Sequence, residues 1–257
     1  MKTSVALLAA MVTTMAGASG ALAGSSKDTA AAPQPAHYFR AEAGIAISET
    51  DTGSWASPGG EDHEWAFEDD KSFYGGLAVG RNLMPGVRGD ISFSMNLGQD
   101  YEGCHIPRGA RSPRDCGRAT VNTSADTYLV MANLFIEPLQ LLGHQSGAIR
   151  PFVTAAIGVA WNDMDSWTRV NPTATNPVRV FEGDTSTEFA WAIGGGASID
   201  LASVLGRAAT LDVTYRYVNA GEARGGVLAD VGSGTPTEPL NFDVEFHAIT
   251  AGIRLPF

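Results

Sequence analysis

Few residues in this sequence stand at spacings that do chemistry. There is no G-x-S-x-G, no H-E-x-x-H and no phosphate-cradling glycine loop. The one acid–base grouping is His247 with Asp243 and Glu245 on alternate positions before it. At strand spacing all three share a face, which is what a general base at a membrane rim needs for hydrolysing or transferring acyl chains. A rim histidine is more often an interfacial residue, so the sequence reads as that of a non-enzyme. Cys104 and Cys116 are the only cysteines, in a Gly/Pro/Arg-rich stretch. In an oxidising compartment they read as a disulfide closing a loop. A zinc site using His105 beside Cys104 lacks the spacing of a metal-ligand set. No cofactor or metal is implied.

A third set is larger. Arg40, Arg88, Arg150, Arg216 and Arg254 alternate with apolar neighbours, as do Glu42, Asp90, Glu137, Asp200 and Asp212. Five bases against five acids on one face point to mutual neutralisation, because charges taken out of water must pair. The expectation is an ion-pair plug.

The elements that carry these residues have a period of two. In residues 87–97, Val87, Gly89, Ile91, Phe93, Met95 and Leu97 fall on one face and Arg88, Asp90, Ser92, Ser94 and Asn96 on the other. Seven further segments read the same way: 37–48, 72–82, 125–137, 149–162, 187–200, 209–218 and 242–257. Each is near the ~9–11 residues with which a tilted strand crosses a bilayer. Connections 83–86, 138–148 and 201–208 are short; 49–71, 98–124, 163–186 and 219–241 are long. Trp161, Phe189, Trp191 and Tyr217 gather near the long-connection end of their strands, and Phe39 and Phe257 near the other. Two aromatic bands around an aliphatic zone are an interfacial girdle. The fold class expected is all-β: an eight-stranded antiparallel up-and-down transmembrane β-barrel over residues 37–257, with short periplasmic turns and long extracellular loops. A lumen of that strand number is filled by side chains.

Residues 1–23 read as a secretory signal: Lys2, the apolar run Val5–Val12, and the small-residue site Ala21-Leu22-Ala23. Residues 24–36 form a small, polar, Pro-containing leader. Beyond them there is no apolar run of the roughly 18 residues that a transmembrane helix needs. The net charge of -11 and the lack of a basic stripe argue against a nucleic-acid partner. Loop 49–71 holds Glu49, Asp51, Glu61, Asp62, Glu64, Glu68, Asp69 and Asp70 against Lys71, with Trp55 and Trp65 among them. It reads as a solvated hairpin. Arg108, Arg111, Arg114 and Arg118 surround the cysteines; that basic tip either meets lipopolysaccharide phosphates or faces solvent.

The chain ends Thr250-Ala251-Gly252-Ile253-Arg254-Leu255-Pro256-Phe257. With Arg150-Pro151-Phe152-Val153, Phe189-Ala190-Trp191 and Leu211-Asp212 before Tyr215-Arg216-Tyr217, this resembles the small outer-membrane β-barrel family. That family includes outer-membrane protein A's barrel and the opacity-type surface proteins, and its members are often named porins. The resemblance implies that Thr250, Gly252, Leu255 and Phe257 are read by the barrel-assembly machinery; Pro256 departs mildly from the pattern, since it removes a ladder donor. It also implies export to the outer membrane of a Gram-negative bacterium, among lipids and lipopolysaccharide. Three function classes follow: a structural or surface barrel displaying loops to an unidentified extracellular ligand, which the sequence favours; a narrow small-solute pore; and a lipid A-acting enzyme built on His247.

Overall fold

The computed structural model describes residues 37–57, 59–68, 70–107, 117–143, 149–175, 177–226, 236 and 238–257. The signal and leader segments, the tip that carries Cys116, and Asp69 lie outside the described residues. Among the described residues no helix is long and apolar enough to cross a membrane.

Strands dominate: β1 (His37–Ser48), β2 (Thr52–Ala56), β3 (Asp62–Phe67), β4 (Lys71–Met84), β5 (Val87–Ile106), β6 (Thr120–Ile136), β7 (Ile149–Met164), β8 (Trp167–Val170), β9 (Val178–Phe181), β10 (Asp184–Asp200), β11 (Thr210–Arg224) and β12 (Glu238–Pro256). Single-turn helices α1 (Pro138–Leu141) and α2 (Ala202–Leu205) sit in two short connections. The third is a two-residue turn in which Gly86, after Pro85, takes φ 79°, a left-handed conformation that glycine adopts without strain.

Each of the eight long strands pairs antiparallel with its neighbours in the circuit β1-β4-β5-β6-β7-β10-β11-β12. The circuit closes where β12 pairs with β1, from Tyr38↔Pro256 to Ser48↔Phe246. The short strands extend the wall at the long-connection end. The β2–β3 hairpin fits between β12 and β5, and the β8–β9 hairpin continues beside β6.

The long strands exceed their sequence-predicted lengths, and two bulges explain why. At Asn96/Gln99 on β5 and Asn219/Glu222 on β11 the register slips. The inserted glycines Gly98 and Gly221 have φ of 68° and 74°. One extra residue reverses which parity faces inward. On β5 the buried positions change from Arg88, Asp90, Ser92, Ser94 and Asn96 to Gln99 and Tyr101. Simple alternation therefore stops at each glycine although the strand continues.

The two faces change character along the barrel. In the lower zone, nearest the short connections, the outward face is aliphatic and exposed, with Leu77 at 53%, Ile91 at 50% and Ile193 at 55%. The inward face there is polar and buried. Beyond the bulges the outward positions become Asp100, Glu102, Asn122, Asp163 and Asp243, whereas Tyr101, Val121, Leu240 and Phe242 turn inward and are buried. Rings sit on the outer surface at the changeover, Trp191 against Tyr217 with centroids 5.5 Å apart.

Ile193 lies between Trp191 and the lower rim, on the exposed aliphatic face. Ile193→Arg is expected to lower the unfolding free energy in lipid vesicles by about 2–4 kcal/mol. Thr187→Arg, on the same strand beyond the ring band, is expected to change it by well under about 1 kcal/mol. Denaturant titration of the reconstituted barrel measures both.

Candidate functional site

The lumen of the lower zone holds two groups of ion pairs that meet at the Phe135 ring, whose centre is 5.3 Å from the Arg40 guanidinium. Arg40 on β1 makes a two-pronged bond to Asp90 on β5, at 3.0 and 3.1 Å, and also donates to Glu42. Glu42 accepts a second fork from Arg216 on β11, at 2.7 and 3.1 Å. Arg254 donates to Asp212 at 3.2 Å, and Ser198 donates to the same carboxylate at 2.6 Å. Arg88 pairs with Glu137 at 2.9 Å and lies 3.5 Å from Asp212, with its guanidinium 4.3 Å from the Phe135 ring centre and 4.8 Å from that of Phe152. Arg150 reaches Glu137 at 3.3 Å from the rim. Tyr38 and Asn133 donate to Asp90 at 3.2 and 2.8 Å. Most of these pairs join strands one or two apart in the circuit, and Arg88 on β5 reaches Asp212 on β11 across the full width of the barrel. Period-two spacing is what aims all of them inward.

Nine of the ten expected lumen charges fall in these two groups. Asp200 does not. It is exposed at the end of β10, where its carboxylate accepts the backbone N–H of Ala202 at 2.8 Å and so serves the α2 turn. Its parity matches Ser198, but the strand ends there and nothing covers it.

The lumen of the upper zone is closed differently. Trp55 and Trp65 from the acidic loop are 2% and 0% exposed, while Glu49, Asp51, Glu61, Asp62, Glu64 and Glu68 around them face solvent. The hairpin is solvated on one side only; the alternation of Trp55, His63, Trp65 and Phe67 with polar residues is a strand signal hidden by the loop's acidity. Trp55 packs edge-on to Trp167 at 5.7 Å, and Trp167 stacks on Phe181 at 3.7 Å. His63 and His105 share a hydrogen bond at 3.2 Å beside Trp65. Burial and the charge of Arg169 lower the pKa of His105.

His247 stands on the outer face at the ring band. Its hydrogen bonds go to the Tyr215 hydroxyl (Nδ1, 2.7 Å) and to Glu49 (Nε2, 2.7 Å), not to Asp243 or Glu245. Asn219 donates to Glu245 at 2.6 Å. Burial, with the Glu245 and Glu222 carboxylates next to it, pushes the Asp243 carboxyl up. The partner Glu49 comes from across the β1–β12 seam, which no local spacing reveals.

Of the terminal set, Thr250 turns inward, buried, 3.5 Å from Glu42. A Cβ at Gly252 would come within 2.9 Å of the Ala41 carbonyl oxygen and 3.0 Å of the Glu42 Cβ. Leu255 faces outward, and the exposed Phe257 lies on His37 with ring centroids 6.1 Å apart. Cys104 stands near the upper end of β5, opposite Thr120 and Ala66. Among the described residues no group of three or more His, Cys, Asp or Glu side chains is placed to hold a metal.

Removing one member of a buried pair strands the other. Arg216→Ala is expected to destabilise the barrel by about 3–5 kcal/mol, since Glu42 would keep Arg40 alone. Arg224→Ala, which removes an exposed pair with Glu222, is expected to leave the denaturation midpoint nearly unchanged. Equal effects in a denaturant titration would show that the cluster carries no special stabilisation.

No protein-family model and no curated protein sequence matches the chain. Solved structures do. The outer membrane protein OprG of Pseudomonas aeruginosa aligns at 14% identity over 87% of this chain and 98% of that one, with a TM-score of 0.51. The outer membrane protease OmpT of Escherichia coli aligns at 10% identity over 90% and 99%, with a TM-score of 0.45. Ail, the attachment invasion locus protein of Yersinia pestis, aligns at 11% identity over 86% and 99%, with a TM-score of 0.36. At such identity the likeness to OprG is one of architecture, and it agrees with the closed circuit, the aliphatic outer band and the polar lumen. The chain has the fold of the small outer-membrane β-barrel proteins.

Proposed function

We propose that the chain is an outer-membrane surface barrel whose working parts are its extracellular loops, held on a rigid plugged stem. The observation that carries this reading is the filled lumen. A paired charge cluster crosses its lower zone and an aromatic stack closes its upper zone, while the wall continues past the lipid band into two hairpins. A structure that invests its chain length in walls and displayed hairpins, and fills its channel, suits presentation more than permeation. Residues 1–23 act as a cleaved signal and 24–36 as a leader. Thr250, Gly252, Leu255 and Phe257 are read by the assembly machinery before they take the places described above. Lipopolysaccharide and outer-membrane lipids surround the band.

We read the chain as a non-enzyme. The Tyr215–His247–Glu49 chain of hydrogen bonds resembles a nucleophile–base–acid series, but its hydroxyl is a phenol at the lipid interface. A ring with a polar tip is the usual anchor at that depth.

Two measurements test the reading. In planar bilayers the folded protein should give no steady conductance of porin size; such a conductance would overturn the plug. A cysteine introduced as Thr173→Cys, in the exposed β8–β9 connection, should react with a membrane-impermeant maleimide on intact cells, whereas protection until lysis would invert the orientation.

The reading also includes a Cys104–Cys116 bridge tying the end of β5 to the basic tip. A closure of this size contributes about 3 kcal/mol by restricting the unfolded chain. Intact mass without reductant should be two hydrogen atoms below that of the dithiol, and free thiols in the folded, oxidised protein would refute the bridge.

A further inference from the structure

We infer that the mouth formed by the β8–β9 hairpin and the β3–β5 wall is a binding site for a compact, multiply charged oxyanion, a phosphate or sulfate monoester. Arg169 and Arg179 are direct cross-strand partners on β8 and β9, both on the inward side. Inward on the long strands, Arg40, Arg88, Arg150, Arg216 and Arg254 each have a carboxylate. Arg169 differs. Among the described residues it has no hydrogen-bond or ion-pair partner, and its guanidinium lies 5.6 Å from the Trp55 ring centre. Arg179 lies 5.0 Å from that of Phe181. Burial and the charge of Arg179 lower the pKa of the Arg169 guanidinium, so its charge is held in a place that disfavours it.

The surroundings fit an anion. His63 and His105 stand on the neighbouring wall, and both they and Arg169 are half-buried, hence open to solvent. Buried Trp55, Trp65, Trp167 and Phe181 form an aromatic floor beneath the guanidinium. A planar fork with a fixed face against a ring is suited to a tetrahedral oxyanion, and a low-dielectric aromatic floor strengthens the attraction. The outward acids nearby repel anions from the remaining surface and so confine them to this mouth.

The ligand has two sources: a phosphate of neighbouring lipopolysaccharide, or a soluble phosphorylated or sulfated glycan. The inference rests on the reading that this end faces outward, but binding in detergent is independent of orientation, so the two fail separately. The full chain, folded in neutral detergent and checked by its heat-dependent migration, is titrated calorimetrically with inorganic pyrophosphate and with a persulfated disaccharide. One saturable site is expected for at least one probe, weakened about tenfold or more by Arg169→Gln, partly restored by Arg169→Lys, and unmoved by Arg224→Gln. Should Arg169→Gln not fold, loss of binding to wild type at high salt with retention in Arg169→Lys supports the site. No saturable binding, or equal binding by Arg169→Gln, overturns it. In vesicles, loss of probe binding on adding lipopolysaccharide assigns the occupant to lipid phosphates; retention assigns a soluble partner.

Discussion

In hydrocarbon an unpaired peptide N–H or C=O costs several kcal/mol, so a sheet in a bilayer has no tolerable edge. The rest of this structure follows from that constraint. The last strand must return to the first, and β12 does so along eleven paired positions of β1. The chain's final residues are consequently structural. Phe257 donates its backbone N–H to the His37 carbonyl at 3.1 Å, which fastens the lower end of the seam. Gly252 leaves the room beside it that the Glu42 side chain uses. Any account of the terminal sequence as an assembly signal has to share those residues with the closure they complete.

Closure with eight strands leaves an interior about one side chain deep from each wall. Polar groups projecting from opposite walls then meet at hydrogen-bonding distance, and the lumen becomes a network. Glu42 shows the consequence. It faces Arg40 on its own strand and Arg216 two strands away on β11, so neither arginine can leave without unbalancing the other. Arg88 is held differently, between two phenylalanine rings as well as two carboxylates. Faces of rings accept part of a guanidinium's charge where oxygen atoms are too few.

Much of this is legible in the sequence because period two is a local property. The eight strand cores, the parity of the charged residues and the ring bands all come from counting by twos. What escapes is whatever breaks the count or crosses the seam. Gly98 and Gly221 invert the parity, so the upper halves of β5 and β11 look like loop. Trp55 and Trp65 are submerged in a run of carboxylates whose charge dominates composition, although Glu61, Asp62 and Glu64 beside them face outward. Glu49 meets His247 only because the chain closes on itself. Asp200 has the right parity at a position where the wall has ended.

The change of polarity along a single strand has a common cause. Within the bilayer, apolar side chains gain nothing by turning inward, because lipid tails receive them equally well. Inside and outside are then distinguished by polar groups, which only the lumen can satisfy. On β12 this zone shows Ile249, Ala251 and Ile253 outward with Thr250 and Arg254 inward. Past His247 the surroundings become water, and the hydrophobic effect acts with its ordinary sign. The same strand now turns Leu240, Phe242, Val244 and Phe246 inward, with Asn241, Asp243 and Glu245 outward. The upper barrel is therefore folded like a soluble protein, around an aromatic core, and the lower barrel like its inverse. The two halves answer to different perturbations: the lower to the loss of one charge, the upper to the loss of packed ring volume. Their junction lies where the bulges sit on β5 and β11 and where His247 bridges Tyr215 and Glu49. On β5 and β11 a glycine bulge falls at that level and moves the inward parity by one residue, whereas β12 crosses it without one and changes only the residue types that stand inward.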